Sequence, residues 1–296
     1  MSGLILPRVT LSDASTRPSL DFVLPGLLAG SVGMIVGQGA VGKSFLALQI
    51  GLAVASGRPV ASGLWPSPTP GPVTLIFGED QPVLLQERLH WLRQHECLDA
   101  GQCCDIDERL DIRSGFGHDM RVLKKSRDGL EPGPFLDVVR EAAKSQRLVI
   151  LDPLAFLHDG DENDNGAATR LMQTLQAVCR DTSATIILLH HVGKGSAGGD
   201  DGRESWTAAR GASALTTACR WQVNLTPPNP RQMKDYGIDD AMRGFWVQVA
   251  VVKANYGEPA ESGWLHRLKG GVMKAEKMLK VAGGHGKKGG GNDDDF

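Results

Sequence analysis

The chain has 296 residues, a formal net charge of −2 at pH 7 and 41% hydrophobic residues. This length holds one or two domains, and the composition is that of a globular protein with a sizeable core. The nearly neutral charge argues against a monomer that grips duplex DNA through a strongly basic surface, so nucleic-acid binding would have to come from local patches or from assembly.

The cysteines and the N-terminus indicate a protein of a reducing compartment. None of the five cysteines forms a C-x-x-C pair, and no His or Cys follows at zinc-ligand spacing. We interpret them as reduced thiols. Residues Met1–Thr16 lack the charged and apolar regions of a signal peptide, and no stretch approaches the roughly 20 apolar residues of a membrane span. The sequence therefore predicts a soluble, cytoplasmic protein without a membrane partner.

In chain order, the first predicted elements are a strand, a turn and a helix. Residues 1–19 are polar and mixed, and we expect an N-terminal arm there, followed by a core over 20–275. The apolar run Ser31–Val36 predicts a buried strand that leads into a glycine turn. Ala, Leu and Ile at helical spacing predict a helix over Phe45–Ser56, which the proline-rich segment 57–72 ends.

The rest of the core alternates apolar runs with helical segments. Buried strands are predicted at Val73–Phe77, Arg147–Asp152 and Ala184–Leu189, and helices at Val83–Glu96, Phe135–Ser145 and Ala167–Arg180. Weak periodicity leaves 98–132 without an assignment. Further strands, with antiparallel pairing, are predicted at Trp221–Leu225, Gly244–Lys253 and Trp264–Val272. This alternation predicts an α/β fold with a mostly parallel central sheet flanked by helices on both faces.

The turn after the first strand matches the phosphate-binding pattern G-x-x-x-x-G-K-S. In such a loop, backbone N–H groups point at phosphate oxygens at the positive end of the following helix. Lys43 is expected to reach the β- and γ-phosphates, and the Ser44 hydroxyl to ligate Mg²⁺. The strand before the loop and the helix after it favour this interpretation over an ordinary glycine turn. We predict that ATP and Mg²⁺ are bound by Gly37, Gly39, Ala40, Val41, Gly42, Lys43 and Ser44.

Polar side chains also follow the other predicted strands, at the carboxyl edge where such sheets bind ligands. Asp152 is predicted to organise Mg²⁺, with a turn aspartate as the alternative. Glu79 is predicted to activate the attacking water. Asp80 could exchange roles with it, or both could be a solvated loop pair. His190 and His191 could sense the γ-phosphate, or one imidazole could simply pack in the core.

Eight segments between Leu20 and Lys274 carry a resemblance to a known family: Leu20–Pro25, Gly37–Gln49, Gly78–Asp80, Leu151–Asp152, Leu189–His191, Arg210–Gly211, Arg220–Gln222 and Lys253–Gly257. The last one, Lys-Ala-Asn-Tyr-Gly, is distinctive because generic phosphate-loop proteins do not require it. On these segments the chain resembles the RepA-type replicative helicases of plasmids or phages, which are RecA-like, AAA_25-like P-loop ATPases of the hexameric class.

This resemblance implies a RecA-like core and an ATP-driven homo-hexameric ring that translocates on single-stranded DNA during replication. It agrees with the roles given above to the acids and histidines. It also makes Arg220 an arginine finger that enters the neighbouring subunit's site, supported there by Lys253. From the residues alone, Arg220 only opens a strand and could be a surface arginine. The DNA-facing loops of the family correspond to Leu157–Gly166 and Lys194–Trp206.

The last segment, 276–296, is rich in Lys and Gly and then acidic, which predicts a flexible tail. Its end resembles the acidic tails of phage ring helicases and single-stranded-DNA-binding proteins, which implies docking of a primase, polymerase or single-stranded-DNA-binding protein. A solubilising tail is the alternative. The residues concerned are Asp293, Asp294, Asp295 and Phe296.

One alternative function stays open, because the phosphate loop is common to several classes of ATPase. The chain could be a RecA-like regulatory or recombination ATPase, or an accessory protein of a helicase, without strand separation.

Overall fold

A computed structural model describes residues 6–127, 129–160, 164–192, 213–257 and 261–281. Several sequence predictions lie outside these ranges: the second DNA-facing loop over 194–206, the segment Arg210–Gly211 and the acidic end of the tail, 293–296. Within the described ranges, no helix is both long enough and apolar enough to cross a membrane.

The described residues form thirteen strands and seven α-helices. The strands are β1 (Phe22–Leu24), β2 (Leu27–Leu28), β3 (Val32–Gly37), β4 (Val73–Phe77), β5 (Leu110–Ser114), β6 (Leu123–Ser126), β7 (Gly129–Pro132), β8 (Leu148–Asp152), β9 (Thr185–His191), β10 (Trp221–Thr226), β11 (Trp246–Ala254), β12 (Gly263–Arg267) and β13 (Met273–Ala275). The helices are α1 (Lys43–Ser56), α2 (Pro82–His95), α3 (Ala100–Asp107), α4 (Phe135–Ala143), α5 (Asn165–Thr182), α6 (Ser213–Ala218) and α7 (Pro230–Tyr236).

Nine strands form one central sheet in the order β13-β12-β11-β10-β3-β9-β8-β4-β5. The six strands from β10 to β5 are parallel, and β11, β12 and β13 extend the sheet with antiparallel pairing. The predicted α/β class and the antiparallel C-terminal strands are confirmed. Since β3 lies between β10 and β9, the phosphate loop that follows it emerges near the middle of the sheet.

Helices cover both faces of the sheet, as predicted. Alternate residues of one strand enter two different hydrophobic clusters: Ile187 and Leu189 of β9 pack on the side of α1, α2 and α3. Ile186 and Leu188 pack on the side of α4 and α5. Because each parallel strand is buried on both faces, its sequence is continuously apolar.

Two parts of the sequence prediction need correction. The unassigned segment 98–132 contains α3, the β6–β7 hairpin and β5, which is the edge strand next to β4. The single strand predicted over Trp264–Val272 is wrong, because β12 and β13 are separate strands joined by a tight turn. Gly270 and Gly271 in that turn have φ of +75° and +90°, a conformation that glycine adopts readily and that ends the strand.

Candidate active site

The phosphate loop links β3 to α1 at the carboxyl edge of the sheet. Gly42 precedes the first helical residue with φ of +106°, which is unfavourable for side chains other than glycine. A Cβ atom at this position would also lie 1.7 Å from the terminal methyl of Met273. The second glycine of the motif is therefore required by its backbone conformation and by close packing against β13.

Lys43 lies inside the loop. Its Nζ donates hydrogen bonds of 2.8 Å to the carbonyl oxygens of Gly37 and Gln38 and lies 3.1 Å from Nδ1 of His191. Burial lowers the pKa of Lys43 to about 8, although the nearby carboxylates of Asp152 and Glu79 act in the opposite direction. The ammonium group is thus held at the loop by partners that an incoming phosphate could replace.

Ser44 and Asp152 form the second part of the site. The Ser44 hydroxyl donates a 2.5 Å hydrogen bond to Oδ2 of Asp152, at the end of β8. Asp152 is only 4% exposed, and its Oδ1 is buried without a hydrogen-bond partner. Burial raises the pKa of this carboxyl to about 6. Two converging oxygen ligands, one with unsatisfied capacity, fit a hard cation such as Mg²⁺.

Glu79 and Asp80 follow β4, and the structure distinguishes them. Both terminal guanidinium nitrogens of Arg88, Nη1 and Nη2, donate to the Asp80 carboxylate, and the Nη2–Oδ1 distance is 2.8 Å. The Ser114 hydroxyl also donates to the Asp80 carbonyl oxygen over 2.7 Å. Glu79 is exposed, and its Oε2 lies 3.9 Å from Nε2 of His191. This arrangement favours Glu79 over Asp80 as the carboxylate beside the phosphate loop.

His190 and His191 point to opposite faces of the sheet, because successive side chains of a strand alternate. His191 contacts Lys43 at the phosphate loop. His190 is 3% exposed, and burial lowers the pKa of its imidazole to about 4. The alternative that one imidazole packs in the core therefore describes His190, whereas His191 lies in the candidate active site.

Arg220 and Lys253 lie at the opposite edge of the sheet. Trp221 pairs with Gly33 at the start of β3, so Arg220 is about five strand residues, roughly 16 Å, from the loop that follows Gly37. Lys253 Nζ donates to the Thr216 carbonyl oxygen at 2.7 Å, near the end of α6. The structure thus brings neither cation to the phosphate loop of the same chain.

The described part of the first predicted DNA-facing loop, Leu157–Gly166, contains acids with structural roles. Asp159 accepts hydrogen bonds from Arg121 Nη1 at 2.8 Å and from the Lys125 backbone N–H at 3.1 Å. Asp164 caps α5 by accepting from the Gly166 N–H at 2.8 Å. These acids are explained by local folding, and residues 161–163 lie outside the described ranges.

The sequence reasoning missed Arg267, which reaches the phosphate loop, and Gln49, which holds β13 against α1. Arg267, the last residue of β12, donates from Nη2 to the Ala40 carbonyl oxygen of the phosphate loop at 3.0 Å. Gln49 of α1 donates to the Met273 carbonyl oxygen at 2.7 Å and accepts from the Met273 N–H at 3.1 Å. The sequence signal for Arg267 is weak. It lies two residues after the buried Leu265 in the same strand, which places both side chains on the face of the sheet that α1 covers.

Comparison with known proteins agrees with this geometry. A family model described as an AAA domain, AAA_25, matches residues 5–197. Among solved structures, the chain is similar to the ATPase domain of a helicase, with 13% identity and a TM-score of 0.53 over 83% of this chain and 85% of that one. It is also similar to the RadB recombinase, with 14% identity and a TM-score of 0.51 over 86% of this chain and 93% of that one.

At these identities the structural likenesses show the fold, which is the predicted RecA-like α/β architecture. The family model spans more than half of the chain and includes the phosphate loop together with β4, β8 and β9. The chain therefore belongs to the AAA-domain family AAA_25 and is a P-loop NTPase with a RecA-like fold.

Proposed function

We propose that the protein is an ATP-dependent replicative DNA helicase, which assembles as a homo-hexameric ring and translocates on single-stranded DNA. The proposal combines the nucleotide site with the resemblance of the chain to RepA-type helicases of plasmids or phages. The likeness to a helicase ATPase domain supports the same class of fold.

In this proposal the described residues divide the chemistry of ATP hydrolysis among them. Lys43 binds the β- and γ-phosphates in place of the loop carbonyls that it contacts here. Ser44 and Asp152 hold Mg²⁺, which offsets charge on the phosphates. Glu79 accepts the proton of the attacking water. His191 lies between Lys43 and Glu79, where it can respond to the presence of the γ-phosphate.

The observation that carries the ring assembly is the position of Arg220. It is exposed at the amino end of β10, whereas the phosphate loop lies at the carboxyl edge of the same sheet. An arginine at that distance cannot stabilise the transition state in its own subunit. In a closed ring of identical subunits, this edge of one copy can complete the site of the next, so Arg220 acts between subunits, with Lys253 beside it.

A subunit-mixing experiment tests this assignment. Arg220→Ala and Glu79→Ala proteins should each bind ATP but turn it over at a small fraction of the normal rate. In mixed rings, some interfaces combine an intact Glu79 with an intact Arg220, so turnover should recover. An Arg231→Ala variant, which changes another exposed arginine, should behave as wild type. If mixing restores nothing, Arg220 does not act across an interface.

A second candidate function is a RecA-like regulatory or recombination ATPase, or an accessory protein of a helicase, that does not separate strands. The structural likeness to the RadB recombinase, which is similar in extent to the likeness to the helicase domain, supports this second candidate. Unwinding of a forked duplex discriminates between the two. The helicase should displace the strand in an ATP-dependent way that Lys43→Ala abolishes. Turnover stimulated by single-stranded DNA without strand displacement would favour the second function.

A further inference from the structure

Arg267 is placed at the phosphate loop by the antiparallel end of the sheet. The strand β12 runs in the same direction as β3, because two antiparallel pairings separate it from β10, which is parallel to β3. Its last residue therefore lies at the same carboxyl edge as the loop. There, Nη2 of Arg267 donates to the Ala40 carbonyl oxygen at 3.0 Å.

The charge of Arg267 has no carboxylate partner among the described residues. The side chain is about half buried, and desolvation is the sole cause that lowers the pKa of its guanidinium. Its Nε is buried without a hydrogen-bond partner. Burying an unpaired cation costs free energy, so such groups are usually paired with an anion or neutralised. The nearest functional element is a loop whose sequence pattern binds phosphate anions.

The hairpin that carries Arg267 is firmly attached to the site. Met273, the register partner of Arg267 on β13, packs its methyl group against Gly42 and pairs with the side chain of Gln49. In the turn between the strands, Gly271 packs against the Phe45 ring of α1. Contacts with both the loop and α1 fix the position of the guanidinium relative to the phosphate site.

We propose that Arg267 binds the phosphate chain of the nucleotide held by the phosphate loop of its own subunit, as a second cation beside Lys43. This inference rests on the proposed nucleotide binding, but it does not require strand separation or a ring. A guanidinium has five N–H donors, and the bond to Ala40 uses one of them. Because Nε is buried, the remaining N–H groups of Nη1 and Nη2 are the ones available for non-bridging phosphate oxygens, which supply the missing counter-charge.

Two substitutions separate charge from hydrogen bonding. Arg267→Gln removes the charge but keeps an N–H donor for Ala40, and Arg267→Lys keeps the charge. Charge-assisted hydrogen bonds to phosphate contribute to the affinity for ADP, so Arg267→Gln should weaken ADP binding by about 10-fold to 100-fold. Arg267→Lys should recover part of this loss because it keeps the positive charge. Calorimetric titration with ADP measures both. Lys274→Gln, an exposed change on the neighbouring strand, serves as the matched control.

The unfolding midpoint of the nucleotide-free protein tests whether Arg267 has a purely structural role. Since Arg267→Gln removes a half-buried charge that has no carboxylate partner, this midpoint should stay the same or rise, while the stabilisation by ADP shrinks. The inference is overturned if ADP binds Arg267→Gln as tightly as wild type, if the nucleotide-free midpoint falls together with affinity, or if Arg267→Lys recovers nothing. Failure of the wild type to bind ADP would instead overturn the proposed function.

Discussion

The Ser44 hydroxyl donates a 2.5 Å hydrogen bond to Oδ2 of Asp152, and this contact joins two residues 108 positions apart in the chain. Ser44 is the second residue of the helix after β3, and Asp152 is the last residue of β8, with β9 between these two strands. The sheet therefore brings a hydroxyl and a buried carboxylate together at the phosphate loop. Because Asp152 is buried with an unpaired Oδ1, its negative charge is costly until a cation arrives.

This cost gives a prediction for Asp152→Asn. The folded carboxyl, whose pKa is about 6 against an ordinary value of 3.8, is ionised at pH 8 at a penalty of about 3 kcal/mol. The asparagine amide carries no charge, so the substitution removes that penalty, and the amide oxygen can still accept the hydrogen bond from the Ser44 hydroxyl. Thermal unfolding of nucleotide-free Asp152→Asn should therefore show higher stability than wild type at pH 8, while Mg²⁺-dependent ATP turnover drops at least about 100-fold. A variant that is less stable or fully active would contradict this assignment.

Glu79→Gln and Asp80→Asn should have different effects. Glu79 is exposed beside His191, so Glu79→Gln should lower turnover by about 100-fold and leave the Kd for ATP nearly unchanged. Asp80 binds Arg88 in a two-fold contact, so Asp80→Asn should mainly lower stability, by about 1 kcal/mol, with turnover largely kept. Steady-state kinetics and chemical denaturation measure the two quantities. The reverse pattern would make Asp80 the catalytic carboxylate.

Much of the fold could be predicted because its central strands are buried on both faces. The strand at Val73–Phe77 was predicted with its observed ends, since every residue in it is buried and nearly all are apolar. The edge strand β5 was missed for the opposite reason: Leu110–Ser114 is half exposed and contains Asp and Arg, so its sequence carries no continuous apolar run. Edge strands of a parallel sheet are thus harder to detect than central ones.

The sequence points to candidate site residues only where a local pattern marks them. The phosphate loop and the acids after the strands are recognisable because the motif and the strand ends fix their positions. Arg267 has no such pattern: its contact with Ala40 spans 227 residues and depends on the direction of β12 in the sheet. The split between the two histidines likewise required the strand register, because alternation decides which imidazole faces Lys43.

The buried His190 predicts a specific dependence of stability on pH. The imidazole has a folded pKa of about 4 against 6.5 in the unfolded chain, so the unfolded state binds the proton first as the pH falls. His190 therefore contributes stability above pH 6.5 that is lost as the pH falls towards 4, by about 3 kcal/mol in total. Asp152 has the opposite sign in this range, so His190→Asn should be compared with wild type by urea unfolding at each pH. If the difference in the free energy of unfolding between His190→Asn and wild type stays constant with pH, the prediction is contradicted.

The acidic tail predicts partner binding that is separable from catalysis. Deleting Asn292–Phe296 should weaken binding to a primase, polymerase or single-stranded-DNA-binding protein by at least about 10-fold, because docking would lose three charges and an aromatic anchor. ATP turnover should not change. A Phe296→Ala variant that keeps the aspartates separates the contribution of the aromatic side chain to partner binding from that of the charges. Equal retention of these partners by full-length and truncated protein in pull-downs would leave the tail with a solubilising role only.

The side chain of Gln49 pairs with Met273 as a neighbouring strand would, since it both donates to and accepts from the same backbone residue. Gln49→Leu has a similar size but leaves the Met273 N–H and carbonyl buried without partners. Each unsatisfied group costs about 1–3 kcal/mol, so we expect a loss of about 2–5 kcal/mol in the free energy of unfolding. Gln94→Leu, on the exposed side of α2, is the control and should change it by less than about 0.5 kcal/mol. Equal stability of the two variants would show that β13 is held by apolar packing alone, and the hairpin that positions Arg267 would then depend on Met273 rather than on Gln49.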